Sequence, residues 1–107
     1  CPVVLMRRTG RVLAVIYEGT PETLTLAAAV ARRQRLPVAI LARADDAASD
    51  ARFVIEAAAA FGSQSVAMPA GDTELLARLA ELRPRAVVVD ACNASVRLDA
   101  VVAALEG

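Results

Sequence analysis

Residues 11 to 42 read RVLAVIYEGTPETLTLAAAVARRQRLPVAILA, and their patterning describes a strand, a helix and a second strand. Val12 to Tyr17 is apolar without alternation, as expected of a strand covered on both faces. The run stops at Glu18-Gly19. Thr20-Pro21-Glu22 then supplies an N-cap threonine, a proline at the first helical position and an acid in the first turn. Leu24, Ala27, Ala28 and Ala31 recur at helical spacing, and Val38 to Ala42 returns as a second apolar run. The unit is a βαβ crossover, and its first corner lies where open α/β sheets bind ligands.

Working outward, the same alternation continues. Ser65 to Met68 and Ala86 to Asp90 read as further strands. Three more apolar sets have helical spacing: Ala51, Val54, Ile55, Ala58 and Phe61; Leu75, Leu76, Leu79 and Leu82; and Leu98, Val101, Val102 and Leu105. Their starts are marked by Asp45-Asp46, by Asp72-Thr73-Glu74 and by Asn93 to Ser95, and Gly62 suits a helix end. From residue 11 onward the order is β-α-β-α-β-α-β-α, which calls for right-handed crossovers and helices on both faces of a twisted, mainly parallel sheet. The expected class is α/β, a three-layer α/β/α sandwich. At 107 residues and 57% hydrophobic content, the chain is one domain with a single core.

The absent residue types exclude much chemistry. Histidine, tryptophan and lysine are missing, so all 12 basic residues are arginine, balanced by 12 acids. Zero net charge offers no footprint for nucleic acid or an anionic membrane. Without histidine there is no imidazole base and no Ser/His/Asp or Cys/His arrangement; without lysine there is no Walker lysine or Schiff base. Cys1 and Cys92 have neither disulfide-framework nor metal-ligand spacing, so the expectation is a reducing, cytoplasmic setting with no metal site. No apolar run approaches the roughly 18 residues of a membrane span. An opening at Cys1 is expected of a segment from a longer chain.

The first strand, Pro2 to Met6, breaks the pattern. Only about five residues separate it from the next strand, whereas a parallel crossover needs a dozen or more. The options are a hairpin with the Val12 strand or a place elsewhere, in this sheet or in a partner's.

RVLAVIYEGTPETLTLAAAVARRQRLPVAILARADD and SVAMPAGDTELLARLAELRPRAVVVD resemble the first βαβ unit and the later part of universal stress protein domains. The resemblance spans residues 11 to 90. It implies an adenine-nucleotide α-hydrolase-like fold with core strand order 3-2-1-4 and an edge strand beside Ala86 to Asp90. In that family an acid at the first corner contacts the nucleoside, and Glu18 is the matching position. The family's phosphate loop, G-x2-G-x9-G-[ST], has no counterpart here: after Asp90 the chain reads ACNASVRLDAVVAALEG, with no glycine before Gly107. Such a loop needs glycine for close backbone approach to the anion. The resemblance therefore points to the branch that does not bind ATP and needs no cofactor.

The family's dimerising edge strand is similar to CPVVLMR, which stands here at the front. A short link has little slack for a parallel return along the sheet. The expectation is that residues 1 to 8 are displaced and exchanged with a second subunit, with Val3, Val4, Leu5 and Met6 forming a homodimer interface. The leading function is a non-enzymatic regulatory or dimerisation module in a longer protein such as a transporter or sensor. The alternative is a nucleotide-binding domain for ATP or AMP, using Glu18, Gly19 and Thr20 on one side and Asp90, Asn93 and Ser95 on the other. A carboxylate pair of Glu18 and Asp90 would suit Mg²⁺ or acid/base work, set against ordinary capping. A third reading is a small enzyme with Cys92 as nucleophile at a helix start, set against a small half-buried residue. Arg32-Arg33-Gln34-Arg35 reads as a solvated helix terminus and, less simply, as a binding patch.

Overall fold

The computed structural model describes residues 1–43, 52, 55, 56, 59, 65–67, 71–92 and 97–106. Its strands are β1 (Pro2–Met6), β2 (Leu13–Tyr17), β3 (Val38–Ala42), β4 (Ser65–Ala67) and β5 (Ala86–Asp90). Its helices are α1 (Pro21–Gln34), α2 (Asp72–Leu82) and α3 (Leu98–Glu106). Arg52, Ile55, Glu56 and Ala59 are also helical. The helix starts expected at Asp45-Asp46 and Asn93 to Ser95, and the glycine stop at Gly62, lie outside the described residues.

The strands form one sheet in the order β1-β5-β2-β3-β4. Counting the four core strands from β2, this is the 3-2-1-4 order that the resemblance implied. β2, β3, β4 and β5 are parallel, with Leu13 facing Val38 on one side and Ala86 on the other. Every residue of β2 and β5 is buried. Their unbroken apolar runs follow from this, because successive side chains enter opposite halves of the core.

One half contains Leu13, Val15, Tyr17, Val38, Ile40, Ala86 and Val88 beneath Leu24 and Ala27 of α1. The other contains Ala14, Ile16, Leu41, Val87 and Val89 against Leu75 and Leu79 of α2 and Val101 and Leu105 of α3. Among the described residues of the helical-spacing sets, three face outward instead. Leu98 and Val102 are exposed, because the neighbouring Val101–Leu105 pair takes the core side of α3. Ile55 is 68% exposed; the adjacent Glu56 turns toward the sheet to accept the Tyr17 hydroxyl hydrogen bond.

Neither α1 nor α2 ends on glycine. Arg35 and Arg83 adopt the left-handed conformation there, at φ 55° and 46°. The Arg35 N–H reaches back to the Ala31 carbonyl. Pro37 and Pro84 follow, punctuating each stop in the usual way.

The main departure from the sequence reading is β1. It is neither hairpin-paired with β2 nor parallel; it runs antiparallel to β5 of its own chain, from Pro2 beside Asp90 to Met6 beside Ala86. Bonds from Arg7 N–H to the Arg85 carbonyl (2.7 Å) and from Ala91 N–H to the Cys1 carbonyl (3.1 Å) continue the ladder at both ends. The case for strand exchange assumed a parallel return, which antiparallel pairing makes unnecessary. β1 ends, and β2 begins, beside Ala86, so the link passes only around the start of β5. It crosses that backbone at Gly10, φ 124°. A Cβ there would lie 2.5 Å from the Arg85 nitrogen and 2.8 Å from the Arg83 carbonyl oxygen.

Candidate functional site at the carboxyl edge of the sheet

After β2 the chain proceeds through α1 to β3 and β4, then doubles back to place β5 on the other side of β2. The gap between the carboxyl ends of β2 and β5 is thus the topological switch point of the sheet. Glu18, Gly19 and Thr20 leave β2 there, and Asp90, Ala91 and Cys92 leave β5. Gly19 makes the corner with φ 99°, a conformation that favours glycine.

Thr20 occupies the N-cap of α1, but its side chain makes no cap hydrogen bond. Its hydroxyl instead donates to Asp90 Oδ2 at 2.8 Å. Asp90 is only 3% exposed. Its Oδ1 accepts the Cys92 N–H at 3.0 Å and lies 3.4 Å from the Cys1 nitrogen. A buried carboxylate needs several charge-assisted donors to stay ionised, and the loop after β5 together with the α1 cap residue supplies them.

Glu18 has a different partner. Arg43, the residue after β3, approaches Glu18 Oε1 at 3.9 Å and pairs with Asp72 at the start of α2. Tyr17 faces Ala42 in the parallel register, so Glu18 and Arg43 leave adjacent strands side by side. An acid and a base immediately after neighbouring parallel runs were the available sequence signal for this pair. Of the nucleotide-site candidates, Glu18, Gly19, Thr20 and Asp90 converge on this edge, whereas Asn93 and Ser95 lie outside the described residues. In the first turn of α1, Thr23 Oγ1 is buried without a hydrogen-bond partner.

The cysteines require a correction. Cys1 and Cys92 form a disulfide with their Cα atoms 5.5 Å apart. Their sequence separation of 91 concealed the pairing; only the antiparallel β1–β5 register brings residue 1 beside the turn after Asp90. In this state Cys92 has no free thiol to act as nucleophile, and the inference of a reducing setting from unpaired cysteines loses its basis. Among the described residues no helix is long and apolar enough to cross a membrane.

The chain matches no protein-family model, no curated protein and no solved structure.

Proposed function

We propose that this chain is a non-enzymatic regulatory and dimerisation module with a three-layer architecture of the universal-stress-protein kind. The observation that carries the reading is the clasp at the switch point: Thr20 and the Cys92 N–H hold Asp90, while Arg43 holds Glu18. Of the described side chains that would meet a nucleotide, Thr20 and Asp90 are engaged with each other and Glu18 with Arg43. Glu18, Glu22 and Asp90 around the α1 start would also oppose a polyphosphate. ATP and AMP with Mg²⁺ are therefore expected to leave the melting temperature unchanged at millimolar concentration. A saturable ligand at about 100 Kd would instead add roughly 2.7 kcal/mol, and such a shift would favour the nucleotide-binding alternative, for which the convergence of Glu18, Gly19, Thr20 and Asp90 speaks.

Dimerisation would use the outer edge of β1, with Val3, Val4, Leu5 and Met6 in the contact. The ladder bonds at Cys1 and Arg7 fix the alternation: Val3 and Leu5 direct their N–H groups toward β5, and Val4 and Met6 direct theirs outward. Two β1 strands meeting across a twofold axis would make a sheet continuous between subunits. Val4→Pro removes an outward donor and leaves the β1–β5 ladder bonds in place. Light scattering should find a dimer for the parent chain and a monomer for Val4→Pro; a monomeric parent chain would refute the dimer. Attachment to a transporter or sensor is part of the same proposal, since a regulatory module needs an output.

A further inference from the structure

The disulfide and Asp90 together describe more than a crosslink. The Cys1 and Cys92 sulfurs and an Asp90 carboxylate oxygen lie within 4.8 Å of one another. Both cysteines are exposed and Asp90 is buried, so the trio has an anchored inner oxygen and two outer sulfurs facing solvent. We propose that, once the disulfide is reduced, Cys1, Asp90 and Cys92 form a binding site for a borderline-soft divalent cation of the zinc class.

The donor set favours that choice. Two thiolates select for zinc-like ions over Mg²⁺ or Ca²⁺, and a carboxylate oxygen is an accepted third ligand. Tetrahedral bonds of about 2.0 to 2.3 Å place ligand atoms roughly 3.5 to 3.8 Å apart, a spacing that side-chain rotation can reach from the observed cluster. The carboxylate is already oriented by Thr20 on Oδ2 and the Cys92 N–H on Oδ1. Such supporting hydrogen bonds are what hold metal-binding carboxylates in place. The solvent side leaves the fourth position to water.

Reduction requires a donor of two electrons. A dithiol supplies them by thiol–disulfide exchange: its two S–H groups become a disulfide, the Cys1–Cys92 bond breaks, and each cysteine sulfur receives one proton. Binding of the divalent cation then releases both thiol protons, so the ion replaces two protons on the sulfurs. A disulfide oxidant reverses this by thiol–disulfide exchange: it takes the two electrons and two protons and leaves as a dithiol, the Cys1–Cys92 bond re-forms, and the ion, having lost both thiolates, is expelled. This inference is independent of the regulatory reading above, since it concerns only the three donors.

The test uses the whole chain, reduced under anaerobic conditions with a phosphine, which becomes phosphine oxide by taking oxygen from water and competes less for the ion than a dithiol. Cd²⁺ is titrated while its thiolate charge-transfer absorption is followed, and Zn²⁺ is titrated against a chromophoric chelator. We expect one equivalent bound by the reduced chain and none by the oxidised chain. Cys92→Ser and Cys1→Ser should each abolish binding, and Asp90→Asn should weaken it at least about tenfold. Circular dichroism checks that each chain remains folded. Cys1 precedes β1 and is exposed, so Cys1→Ser remains informative if a substitution at Cys92 or Asp90 unfolds the chain. No uptake by the reduced chain, unfolding on reduction, or undiminished uptake by a serine variant would overturn the site; undiminished uptake by Asp90→Asn would remove the carboxylate from it.

Discussion

Thr20 shows how a single side chain is redirected by its surroundings. Threonine before Pro21 reads as an N-cap, and it holds that position, yet its hydroxyl serves the buried Asp90 of another strand. Thr20→Val should therefore cost more than a lost cap, about 1.5 to 3 kcal/mol by urea denaturation, because it strips a donor from a buried charge. Thr20→Ser should recover most of that loss. Gly10 is constrained both by its positive φ and by the Arg85 backbone beneath it; Gly10→Ala should destabilise by about 2 kcal/mol or more. Arg83 is the converse, a side-chain-bearing residue in the left-handed region. Arg83→Gly should raise stability by about 0.5 to 1 kcal/mol in the same measurement. Glu18, Gly19 and Thr20 were legible as a corner because strand end, turn glycine and cap are local signals. Thr20's partner was not, since it stands 70 residues away.

At the scale of elements, the strands and helices with strong apolar periods were legible, whereas the core order followed only from the family resemblance. β1 was found as a strand, but its direction was not, because an edge strand's orientation depends on which neighbour completes its hydrogen bonds. Its sequence carries one hint. Pro2 lacks an N–H at a position where that group would point away from β5, as suits the exposed side of an edge strand. β1 also covers both halves of the core: Val4 packs against one, and Val3 and Leu5 against the other. Deleting residues 1 to 8 should thus expose β5 as well as remove a contact strand. The expected result is an aggregation-prone chain with a lower urea midpoint, measured by light scattering and fluorescence.

For the whole molecule, the decisive unlegible feature was the Cys1–Cys92 bond, which exists only because β1 and β5 are in register. It closes nearly the entire chain into one loop. Opening a loop of this size by reduction should cost up to about 4.7 kcal/mol through the greater freedom gained by the unfolded state. Comparing urea midpoints of oxidised and reduced chain measures it directly.

The bond also determines how tension would travel. A pull applied between residue 1 and residue 106 enters at Cys1, crosses directly to Cys92 and leaves through α3, so the sheet lies outside the load path. Stretching the oxidised chain can release only residues 93 to 106, on the order of 50 Å of contour, whereas the reduced chain can yield on the order of 350 Å. In a tethered setting, the redox state would decide whether the sheet bears mechanical load or is bypassed by it.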